Sequence, residues 1–335
     1  MKLRFSLLAA LCALIFFGCG KERDYLAVDG AMLGTVLHVS ADAKGVSAGE
    51  LYREIMLLDR EMKASMSIFD DSSLLSRLNR NETDSVDRHI TRNLELAREI
   101  SLRSGGRYDV TVKPLVEAWG FAGRERVSEP NLDSLLEFVG YEKVRIVDGR
   151  LRKEDARLQL DFNSIAKGYT VDLVAELLER HGAENYVVAL GGEVRCRGVN
   201  SLGGPWRIGV ERPEDGVLYG TTSEVRIALN EGALATSGNY RRFFLDEQGR
   251  KVAHTLDPRT GRSVVSRLLS VTVVADDCAR ADALGTMYMA LGADDALKMA
   301  ASQPEAKVLF ILAPETGGEE FEIHVSPAMQ SMLIE

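Results

Sequence analysis

The sequence predicts one α/β domain of the α+β type, a mixed and largely antiparallel sheet with helices packed against it. Three observations lead there. Short apolar segments bounded by turn residues outnumber the segments with helical spacing. Several strand-like segments follow one another through short turns, which joins neighbours antiparallel. The 335 residues show no fixed-period repeat, which argues against a solenoid or propeller. With 45% hydrophobic and 27% charged residues the chain reads as globular, and no break in composition marks a second domain.

The first residues stand apart from that domain. Lys2 and Arg4 precede an apolar run from Leu7 to Phe17, long enough for a signal h-region and too short for a stable membrane span. Gly18-Cys19 follows, resembling a bacterial lipoprotein cleavage site, although Phe16 and Phe17 are bulkier than usual there. The expectation is a signal peptide over 1–18, lipidation at Cys19, a tether over 19–29 and the domain over 30–335. An ordinary signal peptide, or an uncleaved anchor, with an incidental Cys19 is the alternative. Cleavage removes Lys2 and Arg4 and makes the formal net charge of −9 two units more negative. An acidic domain without a basic run excludes a nucleic-acid partner. Beyond the leader only Cys196 and Cys278 remain as a possible pair, and spacing leaves their pairing open.

Along the domain, Ala31 to Ser40 reads as a strand opened by Gly34-Thr35. Helical spacing follows over Leu51 to Ala64. Asp70 to Ser73 forms a capping cluster for a short helix with Leu74, Leu75 and Leu78. Thr91 to Ser104 is amphipathic and closed by Gly105-Gly106. The polar stretch from Gly123 to Arg157 suggests a helix over Leu132 to Phe138 and a hairpin over Lys143 to Leu151. Further strands are expected at Leu158–Asp161, Tyr186–Leu190, Trp206–Val210, Val225–Leu229, Arg242–Leu245, Ser270–Val274 and Val308–Leu312. Helices are expected at Ile165–His181 and Cys278–Leu291.

Some segments can carry chemistry. Asp282 and Thr286 are four apart on a helix and share a face. A carboxylate and a hydroxyl are hard oxygen donors of the kind Mg²⁺ prefers, though such spacing alone fits an exposed Asp and a helix-face Thr better. The small residues between them let another backbone approach. Asp161 to Tyr169 runs from a strand through a tight turn into a helix start, whose free N–H groups suit phosphate. Lys167 falls in the first turn, against the dipole preference; it is there for a reason or is simply solvated. Gly191-Gly192-Glu193 ends a strand where backbone can approach a ligand, or is one of the many Gly-Gly turns without function, and Ala235 to Tyr240 reads as an oxygen-lined loop or an ordinary turn. A lone His is more often structural, but His254 precedes a Pro/Gly-punctuated loop, where functional groups tend to sit. No Walker-type loop, no GxGxxG and no Gly-x-Ser-x-Gly elbow is present.

Together these segments resemble one family, the FAD:protein FMN transferases or ApbE family. The resemblance runs in order through Leu33-Gly34-Thr35, Met66 to Phe69, Ser73 to Asn79, Tyr108 to Leu115 and Trp119 to Phe121. It continues through Asp161 to Asp172, Gly191 to Glu193, Ala235 to Tyr240, His254 to Gly261 and Ala281 to Thr286. It implies an ApbE-like fold and a Mg²⁺-dependent reaction on FAD. A Thr or Ser hydroxyl of an acceptor flavoprotein attacks the FMN-side phosphate, AMP leaves, and FMN stays attached through a phosphoester. It also implies Asp282, Thr286 and the Ser164 carbonyl as metal ligands, His254 as base or orienter, and Asp257 as the residue fixing the His254 loop. FAD contacts are implied for Leu33, Phe69, Arg107, Tyr108, Asp109, Asp161, Lys167 and Leu256. Leu33, Phe69, Asn163 and Asn239 stand where the family more often has Met, Tyr, Gly and Asp. Export fits an acceptor in a membrane redox complex, with the enzyme lipid-anchored on the periplasmic side. FAD hydrolysis to FMN and AMP, or FAD binding without turnover, are the competing readings.

Overall fold

The computed structural model describes residues 23–121, 130–213, 223–239, 243–245, 251–315 and 320–334. Its centre is an eight-stranded sheet whose order in space is its order in the chain. The strands are β1 Leu26–Met32, β2 Thr35–Ala41, β3 Tyr186–Leu190, β4 Glu193–Arg197, β5 Glu231–Gly238, β6 Leu268–Ala275, β7 Lys307–Leu312 and β8 Glu322–Val325. Every neighbouring pair is antiparallel; two-residue turns join β1 to β2 and β3 to β4.

Six helices matter for the site: α1 Ala48–Met66, α2 Leu74–Asn79, α3 Arg88–Arg103, α4 Lys113–Ala118, α5 Ala166–Arg180 and α6 Cys278–Ala301. They start where their sequence lets them. Ser47 and Glu50 form a capping box on α1, and Ser73 and Asp87 accept the N–H groups of Ser76 and Ile90. The helices cover one face of the sheet. On β7, Val308, Phe310 and Leu312 face that helical core, where Phe310 meets Tyr288 edge-to-face at 5.5 Å. Leu309 and Ile311 point the other way, into a core shared with Trp206, Ile227 and Leu229 of a small three-stranded sheet. Burial on both faces is why Val308 to Leu312 is an unbroken apolar run.

Several expectations change. The strand over Ala31–Ser40 is two strands: Leu33 and Gly34, at φ 49° and 78°, make the tight turn between β1 and β2. The tether expected over 19–29 overlaps the sheet, because Leu26–Asp29 already pair with β2; residues 1–22, with Cys19, lie outside the described residues. Leu158–Asp161 is not a strand beyond a single bridge from Gln159 to Val112. Leu160 instead has its N–H and C=O taken by the side-chain amide of Asn79. The helix at Leu132 ends at Leu136, and Arg242 lies outside the described residues. The helix from Cys278 continues to Ala301 across Gly292, whose φ of 74° breaks the turn. Ala235–Gly238 is strand β5, not a loop. Cys196 and Cys278 are buried free thiols. They belong to cores on opposite faces of the sheet, which is why they do not pair.

Candidate active site

A cleft of about 500 Å³ opens at one end of the sheet. The β1–β2 turn gives it Gly34 and Thr35, the β3–β4 turn Gly191, Gly192 and Glu193, and β5 Thr236 to Gly238. Asp161, Asn163, Ser164 and Lys167 come from the turn entering α5, and Asp282, Thr286 and Ala290 from α6. Arg107, Tyr108, Asp109, Val112, Val116 and Phe121 form one wall; His254, Thr255, Leu256 and Pro258 form another.

Two helix starts meet at its floor. Asp161 accepts the N–H of Asn163 at 2.8 Å and so tightens the turn ahead of α5. Phe162 then accepts from Ile165 and Ala166. Ile165, the N-cap, has no capping side chain of its own. Asp282 does that work from α6, accepting the Gly168 N–H at 3.1 Å. Asp282 is 4% exposed. Burial, then the charge of Glu193, push it above the usual carboxylate range, partly offset by Lys167. Lys167 is ion-paired with Glu193, whose side chain is almost wholly buried. That pairing is the reason for a lysine in a first turn, where the dipole disfavours it. Thr286 lies one turn beyond Asp282 on the same face of α6. Gly285 keeps α6 against β5: a Cβ there would come within 2.7 Å of the Ser237 hydroxyl.

The opposite wall is built from loops. His254 packs edge-on against Phe121 with ring centroids 6.3 Å apart. Next to it, the Thr255 hydroxyl donates to Asn239 at 2.6 Å in a buried contact. Leu256–Asp257 pairs with Arg262–Ser263 in a two-residue ribbon, and the Asp257 carbonyl accepts from Thr260 and Gly261. The Asp257 carboxylate binds Arg259 at 3.1 Å and lies 3.8 Å from Arg107. Trp119 donates its indole N–H to the Gly261 carbonyl at 2.8 Å. Arg107 also reaches Asp295 at 3.1 Å.

Of the residues singled out from sequence, His254, Arg107, Tyr108, Asp109, Asp161, Ser164, Lys167, Leu256, Asp282 and Thr286 all line this one cleft. Leu33, Phe69 and Asp257 do not. Leu33 packs into the core below the β1–β2 turn, with its N–H on Asp59. Phe69 is 68% exposed. Asp257 shapes the loop through its arginines. Tyr108 is buried, which raises its phenol, and it accepts the Ser164 hydroxyl at 3.0 Å. Asp109 has both oxygens on backbone N–H groups, of Thr111 and Tyr141. Glu193 and Asn239 hold contacts around the cleft that the sequence alone does not assign. Neither role leaves a local signal: Glu193 meets Lys167, and Asn239 meets Thr255, only in the folded chain.

Residues 33–310 match the model of the ApbE family. The chain belongs to the ApbE family. An FAD:protein FMN transferase of Haemophilus influenzae is 35% identical over 92% of this chain and 93% of its own length. One of Vibrio cholerae is 34% identical over 94% and 96%. The solved structure of the flavin transferase ApbE from Vibrio cholerae superposes with a TM-score of 0.81 at 32% identity, covering 92% of this chain and 99% of that one. The ApbE fold is thus the mixed, antiparallel α+β arrangement expected from the sequence.

Proposed function

We propose that this chain is a Mg²⁺-dependent FAD:protein FMN transferase. The observation that carries the reading is one cleft gathering Ser164, Lys167, Asp282, Thr286 and His254 from three separated segments, in a member of a family with relatives of that name.

The donor set suits the metal. Asp282 is a buried carboxylate with a single backbone N–H on it, and among the described residues it makes no ion pair. A carboxylate, a hydroxyl and a carbonyl are the hard oxygens that Mg²⁺ takes, leaving positions for phosphate oxygens. Asp282, Thr286 and the Ser164 carbonyl would hold it. Bound there, Mg²⁺ supplies Lewis-acid neutralisation of pyrophosphate charge.

The chain's own groups do the rest. Lys167, held by Glu193, presents positive charge at the α5 start, where anions are favoured. Gly191 and Gly192 let the FAD pyrophosphate lie close to backbone. His254 accepts the proton of the acceptor Thr or Ser hydroxyl. That oxygen forms a bond to the FMN-side phosphorus, the P–O bond to the AMP phosphate breaks, and AMP leaves with the bonding pair. Positioning and charge neutralisation account for most of such a rate.

Incubating the chain without its leader with FAD, Mg²⁺ and an acceptor domain tests this by intact mass. Addition of FMN to the acceptor, dependent on both FAD and Mg²⁺, is expected. No addition to any of several acceptor domains from membrane redox complexes sinks the reading. AMP released without acceptor would make the chain an FAD hydrolase; bound FAD with no AMP would make it a carrier. The leader pattern supports export and a lipid anchor at Cys19 on the periplasmic side of the membrane. Radiolabelled palmitate should enter the full chain and not its Cys19→Ala variant.

A further inference from the structure

Two of the proposed Mg²⁺ donors, Asp282 and Thr286, sit on α6 and the third, Ser164, in the turn entering α5; the N-termini of these two helices cap each other, and one half of that exchange lies outside the donor set. Asp282 of α6 caps Gly168 of α5. In return Asp172 of α5 caps α6: its Oδ1 accepts the Cys278 N–H and its Oδ2 the Ala279 N–H, each at 2.9 Å. Asp277 takes the next one, from Arg280, at 2.8 Å. The first three orphan N–H groups of α6 are therefore satisfied, two of them by a side chain from the partner helix.

The fit is close. Gly168 and Asp172 are four apart and share a face of α5. A Cβ on Gly168 would come within 2.6 Å of the Cys278 carbonyl carbon and 2.9 Å of the Ala279 nitrogen. The helices thus touch backbone to backbone, with Asp172 fixing their relative height. Asp172 is itself pinned to the sheet, because Arg195 of β4 donates to its Oδ1 at 2.7 Å. Two residues earlier on β4, Glu193 holds Lys167. Two ion pairs from one face of one strand therefore set the position of α5, and Asp172 passes that position on to α6.

We propose that Asp172 is a positioning residue for the metal site: it sets how closely α6 carries Asp282 and Thr286 to the Ser164 turn, and so sets metal affinity. This rests on the reading of Asp282, Thr286 and Ser164 as donors. Asp172 touches neither substrate nor metal in that reading, so its loss weakens binding while leaving the chemistry of the filled site intact.

Titrating the protein with Mn²⁺ and following free Mn²⁺ by electron paramagnetic resonance tests this. Asp172→Asn keeps the side-chain volume and one acceptor, but turns an N–H donor toward the helix end. Its Mn²⁺ dissociation constant should rise about 10- to 100-fold, the range for residues that orient metal ligands. FMN transfer at saturating Mg²⁺ should stay within about threefold of the parent, as for a group acting only on binding. Gly168→Ala, which separates the same helices without touching a charge, should weaken Mn²⁺ in the same direction. Asp282→Asn separates the two ideas. If it leaves Mn²⁺ binding unchanged, the donor reading fails. If it abolishes binding while Asp172→Asn and Gly168→Ala stay within about twofold, an energy shift no larger than a neutral surface change, this inference alone is overturned. Failure of both Asp172→Asn and Gly168→Ala to accumulate as folded protein also overturns it, since the contact is then one of stability.

Discussion

The two sides of the cleft are built differently. The floor comes from helix starts and strand ends, with Asp282, Lys167 and Glu193 locked by each other and by backbone N–H groups. The wall carrying His254 comes from a two-residue ribbon and its turn, held by the Asp257–Arg259 pair and by Trp119 on Gly261. Arg259 is about half exposed, so that pair contributes little, about 0–1 kcal/mol. The floor gathers charge where phosphate would lie. The wall offers a ring nitrogen whose position follows its loop. On the proposed reading the difference makes binding and chemistry separable: one side would hold the flavin nucleotide, and the other would meet the incoming hydroxyl.

The largest expected effects test that separation. Asp282→Asn keeps an acceptor for the Gly168 N–H yet removes the charge from the floor. His254→Ala removes the proposed base from the wall. Each should slow FMN transfer by about 10²-fold or more. They should part company in binding. Calorimetry should show Mg²⁺-dependent FAD binding lost in Asp282→Asn and kept within about twofold in His254→Ala, the change expected where no ligand-binding group is removed. Equal loss of FAD binding in both variants would break the comparison.

The two sides also differed in how readable they were. Helix periodicity, the Ser73 cap and the Gly-Gly turn located most elements, because these are local properties of the chain. Asp282 and Thr286 share a face on any helix, so their spacing was legible while their use was not; the family resemblance supplied it. Lys167 stood out as a lysine at the wrong end of a helix. Its partner Glu193, on a distant strand, was not identifiable, since only the folded sheet brings them together. The Leu158–Asp161 segment misled for a similar reason. Its apolar alternation is real, but the Asn79 side chain occupies the backbone groups a neighbouring strand would use. Ala235–Gly238 looked like a loop because it is small and polar. It is a strand whose small side chains let α6 come close at Gly285.

A second, smaller effect contrasts two buried carboxylates. Asp282 has one backbone donor and keeps acceptor capacity toward the cleft. Asp109, on the Tyr108 wall, has a donor on each oxygen, from Thr111 at 2.8 Å and Tyr141 at 2.7 Å. Burial still raises it from 3.8 to about 6. The folded state therefore holds this proton more tightly than the unfolded chain. The stability it contributes is complete below the unfolded value and is lost as pH rises through about 6. Between pH 4.5 and 7.5 the parent should lose about 2 kcal/mol relative to Asp109→Asn, whose amide does not titrate. Urea unfolding of both proteins at the two pH values measures it. A stability difference that does not change with pH would show that Asp109 is solvated.

The smallest effect concerns Phe69, which belongs to neither side of the cleft. It follows Ile68, which packs on the helical core, and its own ring stays 68% exposed outside the cleft lining. An aromatic left that exposed adds little to folding, so Phe69→Ala should leave the thermal midpoint unchanged. If the ring closes over bound flavin, as the family resemblance implies, the same change removes one stacking contact. The dissociation constant for FAD should then rise about three- to tenfold, the equivalent of one aromatic pair. Phe69→Tyr keeps the ring and should match the parent. The combination of unchanged stability and weaker FAD binding would extend the floor of the cleft outward to residue 69. A lower midpoint with unchanged FAD affinity would instead make Phe69 part of the scaffold and leave flavin recognition to the residues already lining the cleft.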